Sequence, residues 1–167
     1  MTPPKISKSL DTPRPFLKWV GGKGQLLTEL LARVDAAGDF GRYHEPFVGG
    51  GALFYALHRN RRLTRQARLS DYNPRLIATY EGVKQDVDAV IKHLKRHRKN
   101  HSEEYYYHVR ELLREDVRAG LDTAPPEHAA RTIYLNKTGY NGLYRENSKG
   151  LYNVPFGRYA NPQICDE

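Results

Sequence analysis

The sequence predicts an α/β base carrying an inserted, mostly helical and basic unit. Three observations predict it. Short strand-like runs alternate with glycine turns and helices up to about residue 76, apolar residues at helical spacing dominate from there to Asn136, and a glycine- and tyrosine-rich stretch follows. The 167 residues suit one domain with an insertion. Lys plus Arg number 27 against 19 Asp plus Glu, for a net charge of +8. That excess suits a polyanionic partner, because each neutralised phosphate releases condensed counterion. Mean hydropathy is −0.74. No run is apolar enough to span a bilayer, and MTPPKISKSLDTPRP lacks the apolar core of a signal peptide. The single cysteine, Cys165, excludes an intrachain disulfide framework and a cysteine-rich zinc site.

Residues 1–15 bear prolines and lysines and read as a flexible N-terminus. FLKWV then enters Gly21-Gly22-Lys23-Gly24 and QLLTELLARV, in which Leu26, Leu27, Leu30, Leu31 and Val34 keep helical spacing. The glycines form a loop feeding a helix N-terminus, which presents free N–H groups. A phosphate loop is a poor fit, since no Ser or Thr follows Lys23. Next, RYHEPFV leads into Gly49-Gly50-Gly51 and a helix, and Arg68-Leu69-Ser70 forms a second strand before Asp71 and the helix-opening Pro74. Strand, glycine turn, helix, strand, acid is the order that cradles an adenosine-containing cofactor, the acid accepting from the ribose hydroxyls.

From Leu76 to Leu94 one apolar stripe runs at helical spacing, with Asp86 and Asp88 outward. The segment KHLKRHRKNH sets His93, His97 and His101 four apart among lysines and arginines, which reads as a solvated basic face rather than a metal site. Ser102-Glu103-Glu104 starts a further helix, residues 121–126 form a loop, and Glu127 to Asn136 is helical with Ala130, Ile133, Tyr134 and Leu135 inward. Of Tyr105, Tyr106 and Tyr107, one tyrosine is expected in the core and two outside it. Asn136 to Tyr159 packs four glycines, a proline, four tyrosines, two arginines and two lysines into a basic hairpin. Glycines let backbone approach phosphates, tyrosines stack on bases, and arginine and asparagine read base edges. A tyrosine-rich hairpin with solvated charges is the plainer alternative.

In this order FLKWVGGKGQLL, HEPFVGGGALF, LSDYNPRLIATY and NKTGYNGLYRENSKGLYNVPFGRY resemble the Dam-type (D12 class) adenine-N6-specific DNA methyltransferases. The resemblance implies S-adenosyl-L-methionine as cofactor and double-stranded DNA as partner. It implies a partial Rossmann-like methyltransferase sheet interrupted by a helical target-recognition domain. Divisions at 16–76 (cofactor-binding part), 77–160 (recognition domain with its hairpin) and 161–167 (return to the catalytic domain) follow. A cytoplasmic protein, bacterial or phage-encoded, is expected.

Matched position by position, Trp19, Lys23, Phe47, Gly49, Gly51 and Asp71 correspond to the family's cofactor-binding positions. Lys18 matches a lysine that approaches a target base. Tyr140 and Asn141 match residues that wedge into the duplex beside an extruded adenine, and Leu143, Arg145 and Pro155 match base-contacting positions. Arg158 matches a basic position of the same pattern, with phosphate as its expected contact. On residue chemistry alone, Trp19 reads equally as a core anchor, Lys23 as a surface lysine at a helix start, and Asp71 as a helix N-cap. The family's catalytic Asp-Pro-Pro-Tyr is not in these 167 residues, so no catalytic residue is assigned. The expectation is a chain holding the cofactor motifs and the recognition portion, as a truncated enzyme, half of a split one, or a DNA-binding remnant. Such a chain would leave a sheet edge and an apolar face for self-association or for a second polypeptide.

Overall fold

Two short parallel strands, β1 (Tyr43–Glu45) and β2 (Ala67–Leu69), pair with Tyr43 opposite Ala67 and Glu45 opposite Leu69. The computed structural model describes residues 13–63, 65–120 and 126–165. A 3₁₀ turn (Lys23–Leu26) leads into α1 (Leu27–Ala36), and α2 (Ala52–Arg59) joins the strands. Then come α3 (Pro74–Gln85), α4 (Val87–Lys99), α5 (Glu103–Arg118) and α6 (Pro126–Thr138). The predicted α/β class holds in coarse form: a mostly helical chain with a two-stranded parallel sheet. The expected flexible segment 1–15 lies largely outside the described residues, as do most of the loop at 121–126 and the last two residues of 161–167.

Local chemistry sets the helix boundaries. Asn73, not Asp71, caps α3, its side chain accepting from the amides of Arg75 and Leu76, and Pro74 opens the helix with a ring that needs no N–H partner. The single stripe expected from Leu76 to Leu94 is two helices. Asp86 leaves helical geometry at φ −155° and caps α4 by accepting from the amide of Ala89, so Val87 is exposed where a continuous helix would bury it. Ser102 caps α5 in the same way, with Glu103 and Glu104 beside the positive helix end.

The centre of the fold is α6, which packs against α3, α4 and α5 and buries Ala129, Ala130, Ile133, Tyr134 and Leu135 together with four polar residues. The apolar stripe of α1 has a different outcome. None of its residues is buried, Leu26 before it is exposed, and among the described residues the helix packs chiefly against α2. One flank of α2 cannot cover a stripe of four apolar side chains.

The histidines of α4 depart from expectation. His97 is buried, stacked on Tyr134 with ring centroids 4.9 Å apart, and its Nδ1 lies 2.9 Å from the Tyr105 hydroxyl. His101 meets the Tyr134 hydroxyl at 2.9 Å and the Phe156 ring at 5.6 Å. His97 on the inner face of α4 and His101 just past its end both meet Tyr134 of α6. Of the three tyrosines opening α5, Tyr106 is the core residue, Tyr107 is exposed, and Tyr105 is half-buried against His97. Burial, with the positive charges of His93, Arg131 and Arg96 nearby, lowers the His97 pKa from 6.5 to about 4.

Unfolded His97 therefore takes up its proton near pH 6.5 and folded His97 only near 4. Between those values the unfolded state binds more protons, so stability falls as pH drops through this window and levels off below it. At roughly 1.4 kcal/mol per unit, the loss is about 3 kcal/mol. Urea denaturation followed from pH 7 to 4 checks it, and His97→Phe should flatten most of that slope.

Candidate functional site

The glycine turn after β1 is assembled from groups far apart in sequence. Glu45 ends the strand buried, and its carboxylate accepts from the Tyr43 hydroxyl at 2.7 Å and from Lys23 Nζ at 3.0 Å. Lys23 also donates to the carbonyl of Phe47. A buried carboxylate needs a counter-charge, so Lys23 fills that role and is no loose surface lysine. The ladder runs on past the strands, with the Ser70 amide donating to the Glu45 carbonyl and the Val48 amide to the Ser70 carbonyl. Asp71 therefore emerges directly beside the turn. Its Oδ2 accepts from the Gly49 amide and its Oδ1 from the Asn73 amide, both at 3.0 Å.

Gly49 and Gly51 have φ of 52° and 76°, in the left-handed region. A Cβ at Gly49 would lie 3.1 Å from Trp19 Cδ1, and one at Gly51 would lie 2.9 Å from the Tyr80 hydroxyl. The space that the glycines leave is thus occupied by the protein's own aromatic rings. The Tyr80 hydroxyl donates to the Gly49 carbonyl, and burial, with Tyr55, Glu45 and Asp71 nearby, pushes its pKa well above the usual phenol value. Outside the turn, Phe47 is 68% exposed and Tyr72 95% exposed. These groups form an open shelf: a carboxylate with free lone pairs beside two uncovered aromatic rings.

The predicted hairpin is present and is rooted in α6. Gly139 bridges Phe156 and Glu146 bridges Tyr152 in antiparallel pairs, and the Asn147 side chain closes the far turn by accepting from the amides of Lys149 and Leu151. At the near end the Tyr140 amide donates to the Pro155 carbonyl. Asn141 and Gly142 then take left-handed geometry, at φ 55° and 63°. That double turn leaves Tyr140 53% exposed and Asn141 exposed beside it. Leu143 packs against the core, whereas Arg145, Pro155 and Arg158 are exposed. Arg145 Nε donates to Asn153 Oδ1 at 2.8 Å, which orients its guanidinium. From α5, Arg110 and Arg114 brace the hairpin by donating to the carbonyls of Val154 and Tyr152.

Three contacts unite the turn and the hairpin, and residue patterns gave no sign of them. Fully buried Asn136 accepts from the Lys18 amide at 2.8 Å and donates to the carbonyls of Lys18 at 2.9 Å and Gly142 at 3.0 Å. The Lys18 stem consequently lies against Gly142, where a Cβ would be 2.5 Å from Lys18 Cδ. Trp19 stacks on Tyr144 of the hairpin, with centroids 4.8 Å apart and planes at 27°. Glu146 of the hairpin pairs with Arg75 of α3 at 3.0 Å and accepts from the Tyr144 hydroxyl. Trp19, Gly49 and Asp71 are therefore neighbours, and Lys18, Tyr140 and Asn141 adjoin them through Gly142. Pro155 and Arg158 sit on the returning arm of the hairpin, Arg158 with left-handed backbone at φ 52°.

A family model described as D12 class N6 adenine-specific DNA methyltransferase matches residues 19–167. A Type II methyltransferase, M.MjaIII, of Methanocaldococcus jannaschii is 42% identical over 165 residues, covering 92% of this chain and 55% of that protein. M1.LlaDCHI, a Type II methyltransferase of Lactococcus lactis subsp. cremoris, is 39% identical, covering 97% and 54%. A DNA adenine methylase of Serratia marcescens is 37% identical, covering 92% and 53%. The chain spans about half the length of the curated relatives it matches.

Asn136→Ala should cost about 3 kcal/mol in denaturant titration, since it strands buried backbone groups at Lys18 and Gly142. Protease cleavage should rise at the 140–143 turn first. A variant as stable as the parent would mean that the clamp does not hold the two parts together.

Proposed function

This chain belongs to the D12 class of N6 adenine-specific DNA methyltransferases, and from that membership we propose that it serves site-specific methylation of adenine N6 in double-stranded DNA. The observation that carries the reading is the Trp19–Tyr144 stack, which makes the glycine turn and the basic hairpin one continuous surface. A cofactor and a duplex bound to those two parts would meet at Lys18 and Trp19.

S-adenosyl-L-methionine, when bound, supplies an electrophilic methyl group on a sulfonium. The residues of the shelf fit it. Each Asp71 oxygen accepts a single backbone N–H, which leaves lone pairs for two ribose hydroxyls. Phe47 and Tyr72 offer exposed rings to an adenine. Gly49 and Gly51 act indirectly, by admitting the Trp19 and Tyr80 rings that fix the turn, and Lys23 by holding Glu45.

On the DNA side, an adenine amino group is out of reach inside the stack, so the base must swing out, at a cost of a few kcal/mol. Tyr140 and Asn141 are suited to prop the gap, since their left-handed turn projects both beyond the hairpin. Arg145, oriented by Asn153, reads a guanine edge, a contact worth roughly 1–3 kcal/mol of discrimination. Leu143 and Pro155 add apolar contacts to bases, Lys18 reaches the target base, and Arg158 takes a phosphate. A GATC-type site is the first target to test, and the cytoplasm is the expected compartment. A second reading is that the chain binds cofactor and DNA while a further segment or another polypeptide, bearing Asp-Pro-Pro-Tyr, completes the chemistry.

Transfer of tritium from labelled cofactor to an adenine-containing duplex, with and without a polypeptide bearing Asp-Pro-Pro-Tyr, tests both readings. Asp71→Ala should weaken equilibrium binding of S-adenosylmethionine about 10- to 100-fold. Unchanged affinity, or displacement by ATP but not by S-adenosylhomocysteine, would remove the cofactor assignment. Arg145→Ala should relax sequence preference by roughly 10-fold or more. Equal losses on cognate and scrambled duplex would show that Arg145 reads no base.

A further inference from the structure

Several cations of this protein have partners among the described residues. Lys23 pairs with Glu45, Arg33 with Glu29, Arg62 with Asp35 and Asp39, Arg75 with Glu146, and Arg131 with Asp116 and Glu127. The α5 arginines engage Glu111 and hairpin carbonyls. One helix differs. Lys92, Arg96 and Lys99 of α4 are exposed, and no ion pair engages them among the described residues. They stand at i, i+4 and i+7 on one face of the helix, a span of about 10 Å.

Stability accounts for this face only in part, at the last-turn cations Arg96 and Lys99. Like charges four residues apart cost a few tenths of a kcal/mol each in a lone helix. Cations near a helix C-terminus are favourable, but that effect fades within the last turn, and Lys92 lies before it. The row is tied rigidly to the hairpin. His97 on the inner side of α4 and His101 just past its end meet Tyr134 of α6, and His101 also abuts Phe156, two residues before exposed Arg158.

We infer that Lys92, Arg96 and Lys99 form a second, sequence-independent contact with the phosphates of duplex DNA flanking the target site. The inference rests on the DNA reading above and extends its footprint from the hairpin along α4. Charge complementarity selects the occupant: a duplex carries one negative charge per about 1.7 Å of axis, so a row of about 10 Å meets several phosphates. The contact supplies affinity and salt dependence but no base preference.

The test compares the full chain with Lys92→Gln/Arg96→Gln/Lys99→Gln on a 30-base-pair duplex and on a 10-base-pair duplex, both carrying GATC. Affinity is measured across salt concentrations. On the long duplex the triple variant should bind about 10- to 100-fold more weakly, and its log–log salt slope should fall by roughly 0.9 per contact. Loss on scrambled sequence should equal loss on cognate, and the difference should shrink on the short duplex. Lys92→Gln alone, too mild to unfold the helix, should lower the slope by roughly one third as much. Wild-type binding that keeps its slope in both variants would overturn the α4 contact and leave the DNA reading intact, as would loss confined to the cognate sequence. A wild type that binds no duplex, or prefers RNA of equal length, would overturn the reading and the inference together.

Discussion

The buried side chain of Asn136 is the constraint on which the rest of the site depends. A primary amide sealed from water is costly unless its hydrogen bonds are met. Here they are met only when the Lys18 backbone and the Gly142 carbonyl converge on it together. That requirement pins the N-terminal segment to the hairpin and sets Trp19 where it can stack on Tyr144. Every other feature of the site follows from that docking, including the approach of Trp19 to the glycine turn.

The turn itself shows how a glycine motif can act at one remove. Its left-handed residues leave room, but the room is taken by Trp19, Tyr55 and Tyr80 rather than left open. The result is a stiff backbone whose Gly49 amide anchors Asp71 and whose neighbours Phe47 and Tyr72 stay uncovered. Rigidity is useful in a cofactor shelf, because groups already fixed lose little freedom on binding.

Charge on this protein divides into two kinds. Paired cations are structural: Lys23 neutralises a buried acid, while Arg110 and Arg114 hold the carbonyls of a hairpin with few ladder bonds of its own. Arg158, Lys92, Arg96 and Lys99 are exposed, and no ion pair engages them among the described residues. The inner face of α4 carries the opposite chemistry, with His97 kept neutral by burial against the Tyr134 ring.

The order of strand, glycine turn, helix, strand and acid was legible in the sequence, as were the later helices and the basic hairpin. These features rest on periodicity, caps and turn residues, whose influence spans only a few positions. The motifs also carried the resemblance to the family, from Phe16 to Tyr159. The local caps at Asn73 and Asp86 became plain only in the folded chain, and tertiary structure alone decided that His97 faces inward. It alone decided that α1 would lie with its stripe half covered. It alone brought Lys18 to Asn136 across 118 positions and Trp19 to Tyr144. Contacts at such separations leave no periodic trace, since each partner obeys its own local rules and the match exists only after the core has closed around both.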